Sequence, residues 1–268
     1  MLPYERKKII EDFLEKTNET TIDEICSITK EVSKSTIRRD LKLLENEGII
    51  SVYYGGIIKK NKYSIEQKIE SKRMTNMDSK QAIARYAASL VNPDETIFLD
   101  SGSTVAEMIK HLDPSVKVVT TSLDIVMNNV NNLEIHLLGG KVSDVRNSVY
   151  GISTIEQVVD FIFEKAFLGA NGISEKHGIT TPSIEESMLK KKIIQNSSKV
   201  YFLMDTSKIG NFSNCKIAKI DENYIIMEKK NQLTEIYKNI ISPEDSKDKD
   251  LELWNILRHQ WCVLIILI

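Results

Sequence analysis

The sequence predicts an α/β fold in which an N-terminal winged helix-turn-helix is followed by a mostly parallel-sheet α/β domain. Three observations predict it. Short amphipathic helices occupy the first part of the chain. Two strand-like pieces around Gly55 and Gly56 follow them, as in a β-hairpin. From Ser79 onward, apolar runs alternate with helical segments, which is typical of parallel strands covered on both faces.

Changes in composition divide the chain into four regions. We assign residues 1–58 to the winged helix-turn-helix, 59–78 to a polar connector, 79–235 to the parallel-sheet domain and 236–268 to an atypical C-terminal tail. The runs that predict the strands are TIFL (96–99), KVVT (117–120), EIHLL (134–138), KAFLGA (165–170), VYFLM (200–204) and YIIM (224–227). Segments such as STVAEMIKHL and SIEESMLKKKII predict helices between them.

The composition excludes several classes of protein. With 268 residues, 41% of them apolar, the chain can bury a proper core. Its net charge is −2, so any affinity for nucleic acid has to come from local clusters of basic side chains. Three separated cysteines and four scattered histidines predict neither a disulfide framework nor a metal site. We expect no cofactor.

The ends of the chain predict a cytoplasmic protein that does not enter a membrane. The first residues, MLPYERKKII, are charged and lack the apolar stretch of a secretory signal. The last residues, WCVLIILI, are apolar but far shorter than the roughly 20 residues that span a bilayer. For the longer end LWNILRHQWCVLIILI, three alternatives stay open: an interface element, a strand that completes the sheet, or the product of an altered reading frame.

The helices of the first region carry clear start signals. Helix one is predicted over residues 4–16. Helix two begins at Thr21, where T-x-x-E with Glu24 forms a capping box. Ser33 caps helix three, because its hydroxyl can accept from a free amide of the first turn. At about 100° per residue, helix three has a narrow apolar stripe made of Ile37, Leu41 and Leu44.

The side of helix three opposite this stripe is basic, and Asp40 between the two sides can pair with a neighbouring arginine. Most basic helix faces are only solvated surfaces. DNA contact is favoured here because the helix is third in a tri-helical set, because arginine forks onto guanine edges, and because a wing follows. The candidate DNA-binding residues are Ser33, Lys34, Ser35, Thr36, Arg38, Arg39, Lys42, Tyr54 and Lys59.

The run D-S-G-S-T (100–104) joins a predicted strand to a predicted helix. A glycine-containing loop with three hydroxyls before a helix N-terminus can hold an anion, because its amides and the helix dipole favour negative charge. The alternative is a tight turn in which serine and threonine merely cap the helix.

Other polar clusters follow the other apolar runs. If the sheet is parallel, these loops converge on one rim and form a pocket of hydroxyls, amides and lysines that fits a small phosphorylated polyol. The alternative for each loop alone is ordinary turn chemistry. The candidate effector-binding residues are Asp100, Ser101, Gly102, Ser103, Thr104, Thr121, Ser122, Gly140, Asn171 and Lys208.

Motifs in both regions resemble one family. The run S-x-x-T-I-R-R-D-L (33–41), L-E-x-E-G-I and a Gly-Gly wing resemble the N-terminal domain of DeoR-type bacterial sugar-operon repressors. The second region resembles the sensor domain of the same family through motifs that occur in this order: D-S-G-S-T, T-S-L, L-L-G-G, F-L-G-A-N-G-I, G-I-T-T-P with E-E-S-M-L-K, and M-D-T-S-K-I-G. Together these motifs cover roughly residues 4–220.

The chain departs from the family pattern at three places. Tyr54 stands where histidine is usual, Asn171 stands where aspartate is common, and Met227-Glu228 stands in place of Thr-Asp.

The resemblance implies a sensor fold similar to ribose-5-phosphate isomerase and an effector that is a sugar phosphate or a related intermediate. Residues 100–104 would hold the phosphate, with Thr121, Ser122 and Lys208 as further contacts. We expect operator DNA and the effector as partners, and a homodimer or homotetramer whose modules bind half-sites roughly 34–36 Å, or a multiple of it, apart.

Three functions are weighed. The leading one is a transcription regulator, most simply a repressor. The second is an isomerase-like enzyme with an accessory DNA-binding domain, which needs a positioned carboxylate such as Asp100, Glu185, Glu186 or Asp205 as general base. Asn171 speaks against the enzyme, since an amide does not ionise and the related isomerases keep an acidic side chain there. The third, a structural DNA-binding protein without a ligand, leaves the polar loops unexplained.

Overall fold

The structure is a computed structural model that describes residues 3–17, 19–29, 32–46, 49–60, 69, 73 and 75–244. Most of the predicted connector and most of the predicted tail, including LWNILRHQWCVLIILI, lie outside these residues.

The described chain contains both helices and strands. The helices are α1 (Pro3–Thr17), α2 (Ile22–Ile28), α3 (Lys34–Asn46), α4 (Met77–Ser89), α5 (Ser103–Ala106), α6 (Leu123–Met127), α7 (Ile152–Val158), α8 (Ile184–Gln195) and α9 (Gln232–Ile236). The strands are β1 (Glu19–Thr21), β2 (Ile50–Val52), β3 (Ile57–Lys60), β4 (Thr96–Leu99), β5 (Lys117–Thr120), β6 (Glu134–Leu137), β7 (Lys141–Ser143), β8 (Ser148–Tyr150), β9 (Phe163–Gly169), β10 (Gly172–Ser174), β11 (Gly178–Thr181), β12 (Ser197–Leu203), β13 (Cys215–Ala218), β14 (Tyr224–Ile226) and β15 (Ile240–Ile241).

The N-terminal module is a winged helix-turn-helix, as predicted. Helices α1 to α3 and the wing enclose a small apolar core made of Ile10, Leu14, Ile25, Ile37, Leu41, Leu44, Ile50 and Ile58. The capping box at Thr21 and Glu24 is present with both of its hydrogen bonds. The wing is an antiparallel sheet in the order β1-β3-β2. Its strand β1 was not predicted, because three residues are too few to show a periodicity.

The turn of the wing depends on two glycines. Gly55 and Gly56 have φ of 87° and 78°, a left-handed conformation that side chains rarely adopt. The amide of Tyr53 donates to the carbonyl of Ile57 at 2.8 Å and closes the hairpin. Tyr54 therefore stands at the tip and is fully exposed.

The second domain is built on a seven-stranded sheet in the order β15-β14-β12-β9-β4-β5-β6. All of its neighbouring strands are parallel. Alternate residues bury opposite faces: Phe98 packs in one apolar cluster, and Ile97 and Leu99 pack in the other. Each apolar run that predicted a strand forms one.

Three features differ from the sequence-based expectations. The sheet includes β15, five residues beyond the boundary placed at residue 235, because its two residues are too short a signal. Strands β10, β11 and β13 form a separate antiparallel sheet, and β7 pairs with β8 in a hairpin. The helix predicted from STVAEMIKHL is α only over α5 and continues as a 3₁₀ helix over Glu107–Lys110.

The strand order places a crevice at one point of the sheet. From β4, the chain adds β5 and β6 on one side, and it later adds β9, β12, β14 and β15 on the other. The order therefore reverses between β4 and β9. In open α/β sheets, ligands bind beyond the carboxyl ends of the strands at such a switch point. Residues 100–104 follow β4 here, and residues 170–171 follow β9.

Candidate functional site

The outward face of α3 is open to solvent. Arg38, Arg39 and Lys42 are exposed, while the stripe Ile37, Leu41 and Leu44 is buried. Within the part of the chain that the structure describes, none of these three basic side chains pairs with a carboxylate. Cations that carry no internal partner are available for phosphates and base edges.

The start of α3 is organised by hydroxyls. The Ser33 hydroxyl accepts from the amide of Thr36 at 3.2 Å, which is the predicted cap. Its oxygen also lies 2.8 Å from the hydroxyl oxygens of Ser35 and Thr36. The network holds small polar groups at the N-terminal end of the helix, the end that contacts base edges in helix-turn-helix proteins.

Two predicted DNA-binding lysines have carboxylate partners. Lys34 Nζ lies 2.5 Å from an Asp23 carboxylate oxygen, and Lys59 Nζ lies 2.8 Å from a Glu19 oxygen. Both pairs are exposed, so water and salt screen them and a phosphate can compete.

Asp40 pairs with an arginine, but not with a neighbour on α3 as we expected. It accepts from Arg6 of α1 at 2.6 Å and 3.1 Å, and both residues are buried. The two hydrogen bonds raise the pKa of Arg6, with the negative charge of Asp40 adding to their effect. This pair fastens α3 to α1 and leaves Arg38 and Arg39 outside.

A cavity of about 470 Å³ opens at the switch point of the sheet. Its walls include residues 100–104 after β4, 169–171 after β9 and 203–209 after β12. Lys7 and Glu11 of α1 and Lys60 of β3 also line it, so the N-terminal module contributes to one wall.

The loop after β4 is held by a buried lysine. Lys190 Nζ of α8 lies 3.0 Å from Asp100 Oδ2 and 2.7 Å from Glu186 Oε1, and it donates to the Gly169 carbonyl at 2.6 Å. Asp100 Oδ2 also accepts from the Gly169 amide at 2.8 Å. The loops after β4 and β9 are thus joined through one ammonium group.

The charges of this cluster stabilise one another. Burial lowers the pKa of Lys190, but Asp100 and Glu186 outweigh it, so the pKa is raised. Burial raises the pKa of Glu186, but the Lys190 charge and hydrogen bonds from Lys190 and Thr181 lower it to about 2. The Lys190 ammonium and the Glu186 carboxylate are therefore charged at neutral pH.

The hydroxyls of the D-S-G-S-T loop are free. Gly102 is the N-cap of α5, and no side chain caps this helix. Among the described residues, the side chains of Ser101, Ser103 and Thr104 have no hydrogen-bond partner. The alternative in which these side chains merely cap the helix is therefore wrong. Three hydroxyls on a loop that borders a cavity can donate to an anion.

Cationic groups surround this loop. Lys80 of α4, Arg146 and Lys208 line the same cavity. Burial lowers the pKa of Lys80 to about 8, with Asp205 raising it and Lys208 lowering it further. A desolvated lysine with a lowered pKa gains from an arriving anion, because the anion favours its charged form.

Two family models match the chain. A model described as a DeoR-like helix-turn-helix domain matches residues 6–62, and one described as the DeoR C terminal sensor domain matches residues 75–229. The chain belongs to the DeoR family of transcription regulators. The resemblance drawn from the motifs in both regions is confirmed.

Relatives of this DeoR-family protein include named repressors. It is 36% identical to the HTH-type transcriptional repressor GlcR of Bacillus subtilis, over 83% of this chain and 86% of that one. It is 33% identical to the uncharacterized HTH-type transcriptional regulator FruR of the same organism, over 87% and 94%. It is 30% identical to the lactose phosphotransferase system repressor of Staphylococcus epidermidis, over 87% and 94%.

Solved structures are more distant. A D-ribose-5-phosphate isomerase in complex with phospho-erythronic acid shares 20% identity and covers 50% of this chain and 54% of its own, with a TM-score of 0.36. At this TM-score, the likeness of the sensor fold to the isomerase stays a prediction.

The sensor cavity of this regulator brings together most of the predicted effector residues. Asp100, Ser101, Gly102, Ser103, Thr104, Asn171 and Lys208 line it. The role expected of Asp100 changes, because a carboxylate repels an anion and its Oδ2 already accepts from Lys190 and Gly169. Asp100 therefore links this loop to Lys190 of α8 and to Gly169 at the end of β9.

The remaining predicted residues lie elsewhere. Ser122 is buried and caps α6 by accepting from the Ile125 amide. Thr121 borders a narrow cleft beside Asp100 and Arg146. Gly140 is exposed, and a Cβ there would lie 2.2 Å from the Thr154 hydroxyl oxygen, so it serves a tight turn. These residues follow β5 and β6, on the side of β4 away from the switch point.

Sequence reasoning missed three cations of the site: Lys80, Arg146 and Lys190. Lys190 belongs to the quoted motif E-E-S-M-L-K, and its i, i+4 spacing from Glu186 was the available signal. Lys80 and Arg146 stand in a helix and a hairpin far along the chain from the loops they meet, and no local pattern marks them. None of the described helices is long and apolar enough to cross a membrane.

Proposed function

We propose that this DeoR-family regulator represses a sugar-utilisation operon and that a phosphorylated sugar in the sensor cavity controls its affinity for operator DNA. The observation that carries the proposal is the uncapped D-S-G-S-T loop at the switch point, facing Lys80, Arg146 and Lys208. Free hydroxyls, loop amides and several cations match a phosphate and a polyol. The names of GlcR and of the lactose phosphotransferase system repressor agree with a repressor of sugar use.

We further propose that the protein acts in the cytoplasm as a homodimer or homotetramer. Winged modules of two protomers would then bind successive half-sites on the operator. The effector would act by preferring one arrangement of these modules over another.

The site chemistry favours a regulator over an isomerase. Isomerisation needs a carboxylate that is free to take a proton. Asp100 and Glu186 share the ammonium of Lys190, and Asp205 accepts from the amide and hydroxyl of Ser207. Glu185 is exposed and lines the narrow cleft instead of the main cavity. We expect no turnover when the protein is incubated with ribose 5-phosphate.

Replacing Ser103 by aspartate tests the cavity. The variant places a negative charge in the anion-binding loop, so we expect it to lose sugar-phosphate binding while it keeps operator binding. Thermal shift and calorimetry with ribose 5-phosphate, glucose 6-phosphate and fructose 1-phosphate measure sugar-phosphate binding. A ligand at 100 times its Kd stabilises the native protein by about 2.7 kcal/mol.

A gel-shift assay measures operator binding by the same variant, with an operator selected from random duplexes. The unphosphorylated sugars and the exposed variant Ser153→Asp on α7 are the controls. Unchanged sugar-phosphate affinity in Ser103→Asp would place the site elsewhere. Wild-type protein that ignores every phosphorylated sugar would contradict the effector proposal.

A further inference from the structure

Arg146 stands in the wall of the cavity, in the turn that connects β7 to β8. It borders both the main cavity and the narrow cleft beside Asp100. Its guanidinium carbon lies 5.6 Å from the centroid of the Tyr150 ring. Its positive charge also contributes to the low pKa of Glu186, so it faces the buried cluster. An anion in the cavity therefore attracts Arg146 directly.

The residues on either side of Arg146 are attached to the segment that leads from the DNA-binding module. The carbonyl of Val145 accepts from the amide of Ile69 at 2.9 Å, and Ile69 is only 4% exposed. Asn147 donates through its side-chain amide to Asp124, and the guanidinium of Arg73 pairs with the same carboxylate. Ile69 and Arg73 thus hold the turn on both sides of the arginine.

Asp124 is the point at which these attachments meet the sensor domain. Its side chain is buried in the first turn of α6, the helix that follows β5. The amide of Leu123 donates to the carbonyl of Asn147 at 3.0 Å, so the turn and α6 are also joined by backbone. Asn147 has φ of 49°, a left-handed conformation that ties the turn to one shape.

We propose that Ile69 and Arg73 form a clasp on the turn 145–147 and transmit effector binding at Arg146 to the DNA-binding module. The inference rests on the proposed function and adds its route of regulation. An anion that draws Arg146 inward moves the peptide groups of Val145 and Asn147 with it. Val145 bonds Ile69 directly, and Asn147 shares the Asp124 carboxylate with Arg73. The ligand therefore favours one placement of Ile69 and Arg73 over another, and this free-energy difference is the coupling. Ile69 and Arg73 are positioning residues that do not touch the ligand.

The variant Arg73→Ala opens the clasp outside the cavity. Two quantities are measured: the Kd of the tightest-binding sugar phosphate by calorimetry, and the operator Kd with and without that sugar phosphate. We expect the sugar-phosphate Kd to stay within about threefold of wild type. We expect the effector-induced change in operator Kd to fall to less than about twofold.

Three further variants separate transmission from folding. Arg73→Met with Asp124→Asn removes both charges together and leaves no unpaired buried carboxylate, and it should behave like Arg73→Ala. Arg73→Lys keeps the charge and should restore part of the response. Arg85→Ala changes an exposed arginine on α4 and should respond like wild type. Melting temperatures confirm that each variant is folded.

A normal effector response in the charge-free double variant, with sugar-phosphate affinity retained, would overturn the clasp while leaving the proposed function intact. Failure of the wild-type protein to bind any sugar phosphate in the panel would overturn both. Loss of the response in Arg73→Ala and its recovery in Arg73→Lys would support the clasp.

Discussion

At the scale of single residues, the exposed face of α3 carries cations that have no carboxylate partner among the described residues. Arg38 and Arg39 project from α3 because Asp40, the carboxylate closest in sequence, is taken by Arg6. Lys80 in the candidate effector cavity is a desolvated cation, since burial lowers its pKa to about 8. Such groups gain most when a phosphate arrives.

Replacing Arg38 by alanine tests the DNA-binding face. If Arg38 meets a base edge, the variant loses about 1–3 kcal/mol of operator binding, which is about 5- to 150-fold in Kd. Fluorescence anisotropy on the selected operator measures the loss, and Arg85→Ala is the control. Unchanged operator affinity would remove Arg38 from the interface.

Lys80 predicts a pH dependence of effector binding. Its ammonium is present below pH 8 and is lost as the pH rises through about 8. A sugar phosphate is fully ionised over this range, so its affinity should fall by up to about tenfold per pH unit above pH 8. Lys80→Met should bind more weakly and lose this dependence, while the exposed Lys117→Met keeps it. A flat wild-type profile between pH 7 and pH 9.5 would contradict the role of Lys80.

At the scale of elements, α8 organises the cavity from outside the sheet. Lys190 reaches from this helix to the loops after β4 and β9, and Glu186 one turn earlier balances its charge. A single helix thereby sets the spacing of two loops that the switch point brings together.

Replacing Lys190 by methionine should destabilise the protein by about 3–5 kcal/mol, because it leaves two buried carboxylates without their counter-charge. Urea unfolding measures the change. Lys191→Met, the exposed neighbour on the same helix, should stay within about 0.5 kcal/mol of wild type. Equal stability of the two variants would show that the cluster does not stabilise the fold.

The same cluster predicts how the free energy of unfolding changes at low pH. The pKa of Glu186 is about 2 in the folded protein and lower than its ordinary value. The stabilisation that the ionised Glu186 gives the folded protein is therefore complete above the ordinary glutamate pKa. It is lost as the pH falls towards 2. Urea titrations at successive pH values should show a shallower loss in Glu186→Gln than in the wild-type protein.

At the scale of the whole molecule, basic side chains are clustered locally, on α3 and the wing and in the wall of the cavity. The net charge of −2 provides no general attraction to DNA, so we expect operator binding to depend on local basic clusters such as the face of α3 and the wing. The sensor cavity lies beside α1 and β3, with Lys7 and Lys60 in its wall. The candidate effector cavity and the DNA-binding module are therefore neighbours in this structure.

The salt dependence of the operator-binding constant should report how many winged modules bind one operator. Each phosphate contact contributes about 0.9 to the slope of log K against log salt. Lys42→Ala should reduce this slope by about 0.9 if one module is bound and by about 1.8 if two are bound. Lys191→Ala, on α8, should leave it unchanged. No change of slope in Lys42→Ala would mean that Lys42 does not contact phosphate.

Sequence reasoning succeeded where the determining forces are local. The capping box at Thr21, the Ser33 cap, the apolar stripe of α3 and the Gly-Gly turn were predicted because neighbouring residues decide them. It failed for β1 and β15, which are too short to show a pattern, and for the partner of Asp40, which lies on another helix.

The sequence by itself determined the class of fold, the basic face of α3 and the hydroxyl-rich loop of residues 100–104 between a strand and a helix, since spacing and residue type control these. Only the tertiary structure decided which loops share the cavity. Strand order separates Ser122 and Gly140 from the switch point, and it brings Lys80, Arg146 and Lys190 to it. Strand order depends on packing between distant segments, which no local pattern records.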